Sequence, residues 1–137
     1  MLPEKLTLEI VTPERRVLTE TVDEVVLPGR LGYLGVLPGH APLLTALSIG
    51  ELEYRQGSVK RYLAIAWGFA EVLPSRIIVL AETAERAEEI DVDRARRKKA
   101  EIEARMKSPD PYFDLDKATI ATEKEVIRIH VARKSAG

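Results

Sequence analysis

Ala81-Glu82-Thr83-Ala84-Glu85-Arg86-Ala87-Glu88-Glu89-Ile90-Asp91-Val92-Asp93-Arg94-Ala95 is the stretch at which the chain changes character. Upstream of it, segments are short, rich in β-branched residues and punctuated by Gly or Pro. Downstream, the text turns to Ala, Glu, Lys and Arg and holds no Gly before the last residue. A sheet-forming text gives way here to a helix-forming one. The implied fold is an α+β chain: an N-terminal antiparallel β-sandwich over 1–85, then a C-terminal antiparallel two-helix hairpin over 86–137.

Upstream, Leu6, Leu8 and Ile10 alternate with Thr7 and Glu9, the period of two that marks a half-buried strand. Pro13 ends it, a second strand starts over Arg15–Leu18, and a third spans Val22–Leu27 before Pro28-Gly29 signals a turn. Further strands are expected near Tyr33–Val36, Leu43–Ala46, Glu51–Tyr54, Val59–Ile65, Phe69–Val72 and Ile77–Ala81. Their breaks fall at Pro38-Gly39, Ile49-Gly50, Gln56-Gly57, Trp67-Gly68 and Pro74-Ser75. Roughly nine short strands with a turn signal every eight to twelve residues describe an antiparallel sandwich or barrel. Parallel βαβ units would need helical text between strands, and there is none.

Downstream, Asp91 is placed to cap a helix, and Asp93 adds a favourable charge in its first turn. The helix should run to about Lys107, with Val92, Ala95, Ile102 and Met106 on one face. That face is thin and interrupted by Lys99, so the helix is marginal alone. Ser108-Pro109-Asp110-Pro111 stops it. A second helix is expected from Asp114 or Asp116 to about Arg133, with Ile120, Ile127 and Val131 in line. Local propensity disagrees over Val126–Val131, a β-branched alternating run that alone reads as a strand. The preceding Ala121-Thr122-Glu123-Lys124-Glu125 has no strand pattern, and helix is the reading adopted.

The chain has 137 residues with 21 basic and 22 acidic side chains and a formal charge of −1, so no overall field favours nucleic acid or acidic lipid. Without cysteine, thiol catalysis, disulfides and thiolate metal sites are excluded. Met1–Ile10 lacks the apolar core and cleavage site of a signal peptide, and no window approaches the length of a membrane span. A soluble protein is expected, with no direct membrane insertion. Catalytic constellations are missing too. His40 and His130 fall in different modules, and His40 sits in a rigid Pro-Gly loop where hydrogen bonding to local backbone is expected. The glycines of Gly29–Gly35 are not followed by a helix and read as turn punctuation, not a phosphate loop. Glu88-Glu89 reads as a solvated helix entrance. No metal and no required cofactor are expected.

The entrance to the first helix offers more. A helix N-terminus presents free N–H groups and positive potential, and Arg94 follows Asp91 at i+3. Arg97, Lys98, Lys124 and Arg128 would add cations if the helices fold together, a set able to hold a nucleotide's phosphates. The plainer alternative is a capping Asp91 beside a solvated Arg94.

Three blocks carry a family resemblance. Gly32-Tyr33-Leu34-Gly35-Val36-Leu37-Pro38-Gly39-His40-Ala41-Pro42-Leu43-Leu44-Thr45-Ala46-Leu47, Gly68-Phe69-Ala70-Glu71-Val72, and Val79–Ala87 running into Ile90-Asp91-Val92-Asp93-Arg94-Ala95 resemble the epsilon subunit of F-type ATP synthases (delta in mitochondrial naming). The last block matches an ATP-binding pattern, [IL]-D-x-x-R-A, of some bacterial members. The resemblance covers nearly the whole chain and implies a β-sandwich followed by a helical hairpin. It implies a non-catalytic central-stalk subunit that binds the gamma subunit and the c-ring, with its hairpin either folded on the sandwich or extended along gamma towards the alpha/beta head to restrain ATP hydrolysis. It further implies a peripheral place on the cytoplasmic face of the cell inner membrane. ATP is implied as a regulatory ligand, on Glu85, Ile90, Asp91, Arg94, Ala95, Lys124 and Arg128. Two positions depart from the ATP-binding members: Lys124 replaces an arginine and loses its bidentate fork, and Glu101 replaces another, for which Arg97 or Lys98 are possible substitutes. Arg30, Leu31 and Tyr33 are implied as c-ring contacts by position. The basic run Arg96–Lys99 reads either as a solvated face or as a contact for an acidic surface on the head. The alternative to a rotor subunit is a free-standing nucleotide-sensing module.

Overall fold

The computed structural model describes residues 2–108 and 110–136. Among them, eight strands precede two helices: β1 (Leu6–Val11), β2 (Arg16–Val22), β3 (Glu24–Gly29), β4 (Gly32–Val36), β5 (Leu43–Leu47), β6 (Gly50–Gln56), β7 (Val59–Leu73), β8 (Arg76–Arg86), α1 (Val92–Met106) and α2 (Leu115–Arg133). The strands connect in the order β2-β1-β8-β7-β5-β3-β4, and β6 bridges β3 and β7. The sheet thus folds over on itself as a sandwich. Leu6, Leu8 and Ile10 of β1 point into its core with Leu27, Leu47, Leu52, Leu63, Ile65 and Ile77, all essentially inaccessible. This is the alternation read from the sequence.

Three strand details differ from expectation. First, β7 runs unbroken from Val59 to Leu73 through the Trp67-Gly68 signal. Its first half pairs with β6 and its second with β5, so one long strand serves both neighbours. Trp67 (φ 58°) and Gly68 (φ 128°) mark a bend at the handover and not a break. A Cβ on Gly68 would lie 2.0 Å from the Leu80 carbonyl oxygen. Glycine is required there by close approach of β8 as well as by φ. Second, Pro28-Gly29 lies inside β3. The turn is Arg30-Leu31, closed by the Gly29–Gly32 pair. Third, one pair is parallel, β1 with β8. Nearly the whole sandwich separates the two strands in sequence, ample chain for a parallel return.

Both helices begin where their caps predict. Asp91 accepts a hydrogen bond from the Arg94 N–H at 3.1 Å, and Asp114 accepts from the Lys117 N–H at 3.0 Å. The β-branched Val126–Val131 run is helical. Upstream of it, Thr119 and Thr122 satisfy their hydroxyls inside the helix by donating to the carbonyls four residues back, at 2.9 and 2.8 Å. Val131 and Ala132 are then buried against the sandwich. Pro109, one of the residues expected to stop α1, lies outside the described residues.

The helices pack together, and α2 rests on the β6–β7 side of the sandwich and on the 3-10 turn Ala87–Glu89. The seam is small: Ala64, Ala87, Ile90, Val131 and Ala132 are buried in it, flanked by Tyr62, Val92 and Ile127. Ile120, expected in line with Ile127 and Val131, is 39 % exposed, and Glu125 is buried instead. Nor is Glu88-Glu89 simply solvated. Glu89 accepts from Arg15 at 2.5 Å and lies 3.5 Å from Arg86.

Candidate functional site

Residues Glu85–Ala95 do two different jobs. Glu85 lies near the end of β8, its carboxylate turned towards α2. Past the 3-10 turn, Ile90 is buried in the seam and Ala95 is buried on α1, so both act through packing. Asp91 caps α1, while Arg94 is exposed and its side chain makes no ion pair among the described residues. The plainer alternative for these two, cap and solvated arginine, describes their geometry.

Glu85, Lys124 and Arg128 are brought together. They line a hollow of about 450 Å³ between α2 and β7–β8, with Lys98 of α1 and Lys117 of α2 on its walls and Ala64, Ile65 and Ala66 of β7 contributing apolar surface. That size falls within the usual range for small-molecule sites. Asp91 and Arg94 are not among its lining residues, so the expected set divides between the hollow and the helix entrance. Of Arg97 and Lys98, the two α1 cations read from the sequence, Lys98 lines the hollow and Arg97 does not. Lys117 was not anticipated, although Lys117, Ala121, Lys124 and Arg128 follow the i, i+4, i+7, i+11 stripe of one helix face.

Arg128 is bound on two sides. Its Nη2 donates to Glu85 Oε2 at 3.0 Å, and its Nη1 donates to Glu125 at 2.8 Å. Its Nε also lies 2.8 Å from Glu85 Oε1 yet makes no hydrogen bond of good geometry, so the charge pair is closer than its alignment is good. Burial works against the guanidinium charge. Its hydrogen bonds to the Glu85 and Glu125 carboxylates outweigh it and hold Arg128 above the usual guanidinium range. Glu125 itself is only 2 % exposed, a buried carboxylate that sequence reading missed although it lies at i+7 from Ala118 and seven residues before Ala132, both buried. Lys98, Lys117 and Lys124 have no ion-pair partner within reach among the described residues.

A second tether closes the far end of α2. Lys134 reaches Glu51 of β6 at 2.6 Å and stands over the Tyr62 ring at 4.4 Å, with His130 at 3.6 Å from the same carboxylate. The Glu51 carboxylate beside it raises the Lys134 pKa against the effect of burial, although the ion pair is closer than its hydrogen-bond alignment is good.

On the other side of the sandwich, Val11, Arg30, Ala46, Trp67, Phe69 and Leu80 line an open groove of about 740 Å³. Phe69 pairs across the sheet with Ala46 and Leu80, and Leu80 with Val11, so these side chains share one outer face. Phe69, Leu80 and Leu44 are all more than half exposed. Of the three positions expected at the c-ring, Leu31 at the β3–β4 tip is wholly exposed. Tyr33 is exposed, although its hydroxyl accepts from the Glu51 N–H at 3.5 Å. Arg30 stands over Trp67 at 5.9 Å. His40 donates from Nδ1 to the Ala41 carbonyl at 2.7 Å, the local bond expected of it. Among the described residues, no group of three or more His, Cys, Asp or Glu side chains is arranged to hold a metal ion.

Residues 5–87 match the family model described as ATP synthase, Delta/Epsilon chain, beta-sandwich domain. The ATP synthase epsilon chain of Geotalea uraniireducens is 49% identical over 136 residues, covering 97% of each chain. That of Koribacter versatilis is 53% identical over 103 residues, covering 75% of this chain and 72% of the relative. Among solved structures, a chain of the Euglena gracilis mitochondrial ATP synthase (OSCP, F1 and c-ring in rotational state 1) superposes with a TM-score of 0.80 at 26% identity, covering 99% of this chain and 83% of that one.

Proposed function

The chain belongs to the ATP synthase delta/epsilon family, and from that premise we propose that it serves as a central-stalk subunit whose sandwich grips the rotor while its hairpin regulates ATP hydrolysis. It has no active site of its own and works as an accessory subunit of the complex. The apolar outer face around Phe69, Leu80 and Trp67 takes the gamma subunit, because large apolar side chains exposed together on one face mark a protein-interaction surface. The Arg30-Leu31 tip and Tyr33 meet the c-ring, and the basic run Arg96–Lys99 meets an acidic surface on the alpha/beta head when the hairpin extends. No described helix is long and apolar enough to cross a membrane. The place proposed is peripheral, on the cytoplasmic face of the cell inner membrane. The hollow between α2 and β7–β8 takes ATP as a regulatory ligand, cross-linking α1, α2 and the sheet to favour the folded hairpin.

The observation that carries the regulatory reading is the seam. Three of its five buried residues are alanines, so the hairpin buries little apolar area and is held largely by the tethers at Arg128 and Lys134. An arm held this weakly can be shifted by a ligand worth a few kcal/mol. Affinity purification of the tagged chain from membranes tests the rotor role. Recovery of gamma and c-ring components supports it, whereas recovery of the chain alone favours the free-standing nucleotide-sensing module.

A further inference from the structure

Two ion pairs tie the end of the chain to the sheet, and only one belongs to the hollow. Glu85 and Arg128 line it, whereas Glu51 and Lys134 do not. Glu51 pairs across β6–β7 with Ala64, and Glu53 with Tyr62, so the Glu51 carboxylate and the Tyr62 ring share one sheet face with the buried Ala64 of the seam. Lys134 closes the end of α2 and sets its ammonium between the two, 2.6 Å from Glu51 Oε1 and 4.4 Å from the Tyr62 ring centre. The Glu51 side chain is only 16 % exposed, and its Oε1 is buried without a well-aligned hydrogen bond. A carboxylate so placed depends on the cation beside it, and loss of that cation strands it. His130, at 3.6 Å from the same oxygen, is more than half exposed and a poorer partner.

This contact sits where α2 meets the sheet. Val131 and Ala132, the α2 residues buried in the seam, come just before it, whereas Ile120 and Val126 further back along the helix are exposed. We propose that Lys134 on Glu51 and Tyr62 is the catch of the folded hairpin: when it opens, the whole of α2 leaves the sheet, and no ligand in the hollow is needed for the catch to hold or release. The reason is cooperativity. A hairpin with a thin apolar stripe is marginal alone, and three of the five buried seam residues are alanines. Docking is then one weak equilibrium to which the Lys134 end contributes directly, and a helix that loses it unfolds along its length. The catch rests on geometry; its effect on hydrolysis rests on the regulatory role proposed for the hairpin.

Hydrogen exchange on the full chain without nucleotide tests this, since it reads the population of the open form. Lys134→Met and Glu51→Gln should each speed exchange of α2 amides about five- to tenfold, from the middle of the helix to its end. Amides of β1 and β8 should keep their protection. The double substitution should be no faster than the faster single one, and the exchanged pair Glu51→Lys/Lys134→Glu should recover most of the protection. Arg133→Met, which removes a neighbouring cation without an ion-pair partner among the described residues, should change the rates by less than about twofold. Acceleration confined to the last turn of α2 overturns the inference, because the contact would then only hold a fraying end. Additive single effects, or an Arg133→Met effect equal to that of Lys134→Met, also overturn it. Complexes assembled with Lys134→Met should hydrolyse ATP more slowly, the released hairpin being free to restrain the head. Faster α2 exchange with unchanged hydrolysis leaves the catch standing and removes the regulatory role of the hairpin.

Discussion

A methyl group at position 68 has nowhere to go. Its carbon would fall 2.0 Å from the Leu80 carbonyl oxygen, on a backbone at φ 128°. Relief requires β8 to move off β7, the most extensively paired neighbours in the sheet. Gly68→Ala should therefore cost about 4 kcal/mol or more, read as a fall in the urea midpoint or loss of the cooperative transition. Arg128 makes a contrasting case. It belongs to no part of the sandwich core, yet its removal strands the buried Glu125 carboxylate. Arg128→Met should cost about 2–3 kcal/mol, and the loss should fall on hairpin docking. Hydrogen exchange checks this: α2 amides should exchange faster while those of β1 and β8 keep their protection. Adding Glu125→Gln should restore part of the loss, because the stranded charge is gone.

Between elements, charge stitches what hydrogen bonds alone leave loose. Glu9 of β1 accepts from Arg76 of β8 at 2.5 Å and lies 3.2 Å from Arg16 of β2. The Arg76 hydrogen bond outweighs burial and holds the Glu9 carboxyl below the usual range. A carboxyl whose pKa is lower folded than unfolded adds stability above its unfolded pKa, about 4.3, and loses it as pH falls through the folded value. Wild-type urea midpoints measured from about pH 7 to pH 3 should drop at the acid end. Glu9→Gln should start lower at neutral pH and drop less steeply. Much of this architecture is legible in the sequence. Alternation at Leu6–Ile10, capping at Asp91 and Asp114 and the change of text after Glu85 are all local signals. The unbroken β7 is not legible, because Trp67-Gly68 carries the same signature whether a strand ends or only bends between two partners. Nor is the site wholly legible. Spacing announces the Lys117–Lys124–Arg128 stripe, whereas burial of Glu125 depends on where the sheet lies. Asp91 and Arg94 stand apart from the hollow for the same reason, since sequence proximity to Glu85 does not fix which way a helix entrance faces.

At the scale of the whole molecule, the two parts are joined but not merged. Every member of the sandwich core lies between Leu6 and Ala84, and none comes from the helices. The helices in turn own no core comparable to it. Their seam with the sandwich consists of Ala64, Ala87, Ile90, Val131 and Ala132, and the charged tethers at Glu85 and Glu51 sit on the sheet's surface. Ending the chain after Glu88 therefore removes an attachment and leaves the foundation. The shortened protein should keep its β-sheet circular dichroism and melt cooperatively, with a Tm lower by about 15 °C, the shift expected from losing roughly 3 kcal/mol of hairpin docking in a domain of this size. It should still recover gamma and c-ring components, because the apolar groove around Phe69 and Leu80 is untouched. If the hairpin restrains the catalytic head, complexes assembled with the shortened chain should hydrolyse ATP faster than those with the full chain. Unchanged hydrolysis with normal assembly would leave the sandwich its rotor role and strip the hairpin of its regulatory one. Loss of cooperative melting would instead mean that the helices are structural members of the sandwich, a result that its self-contained core argues against.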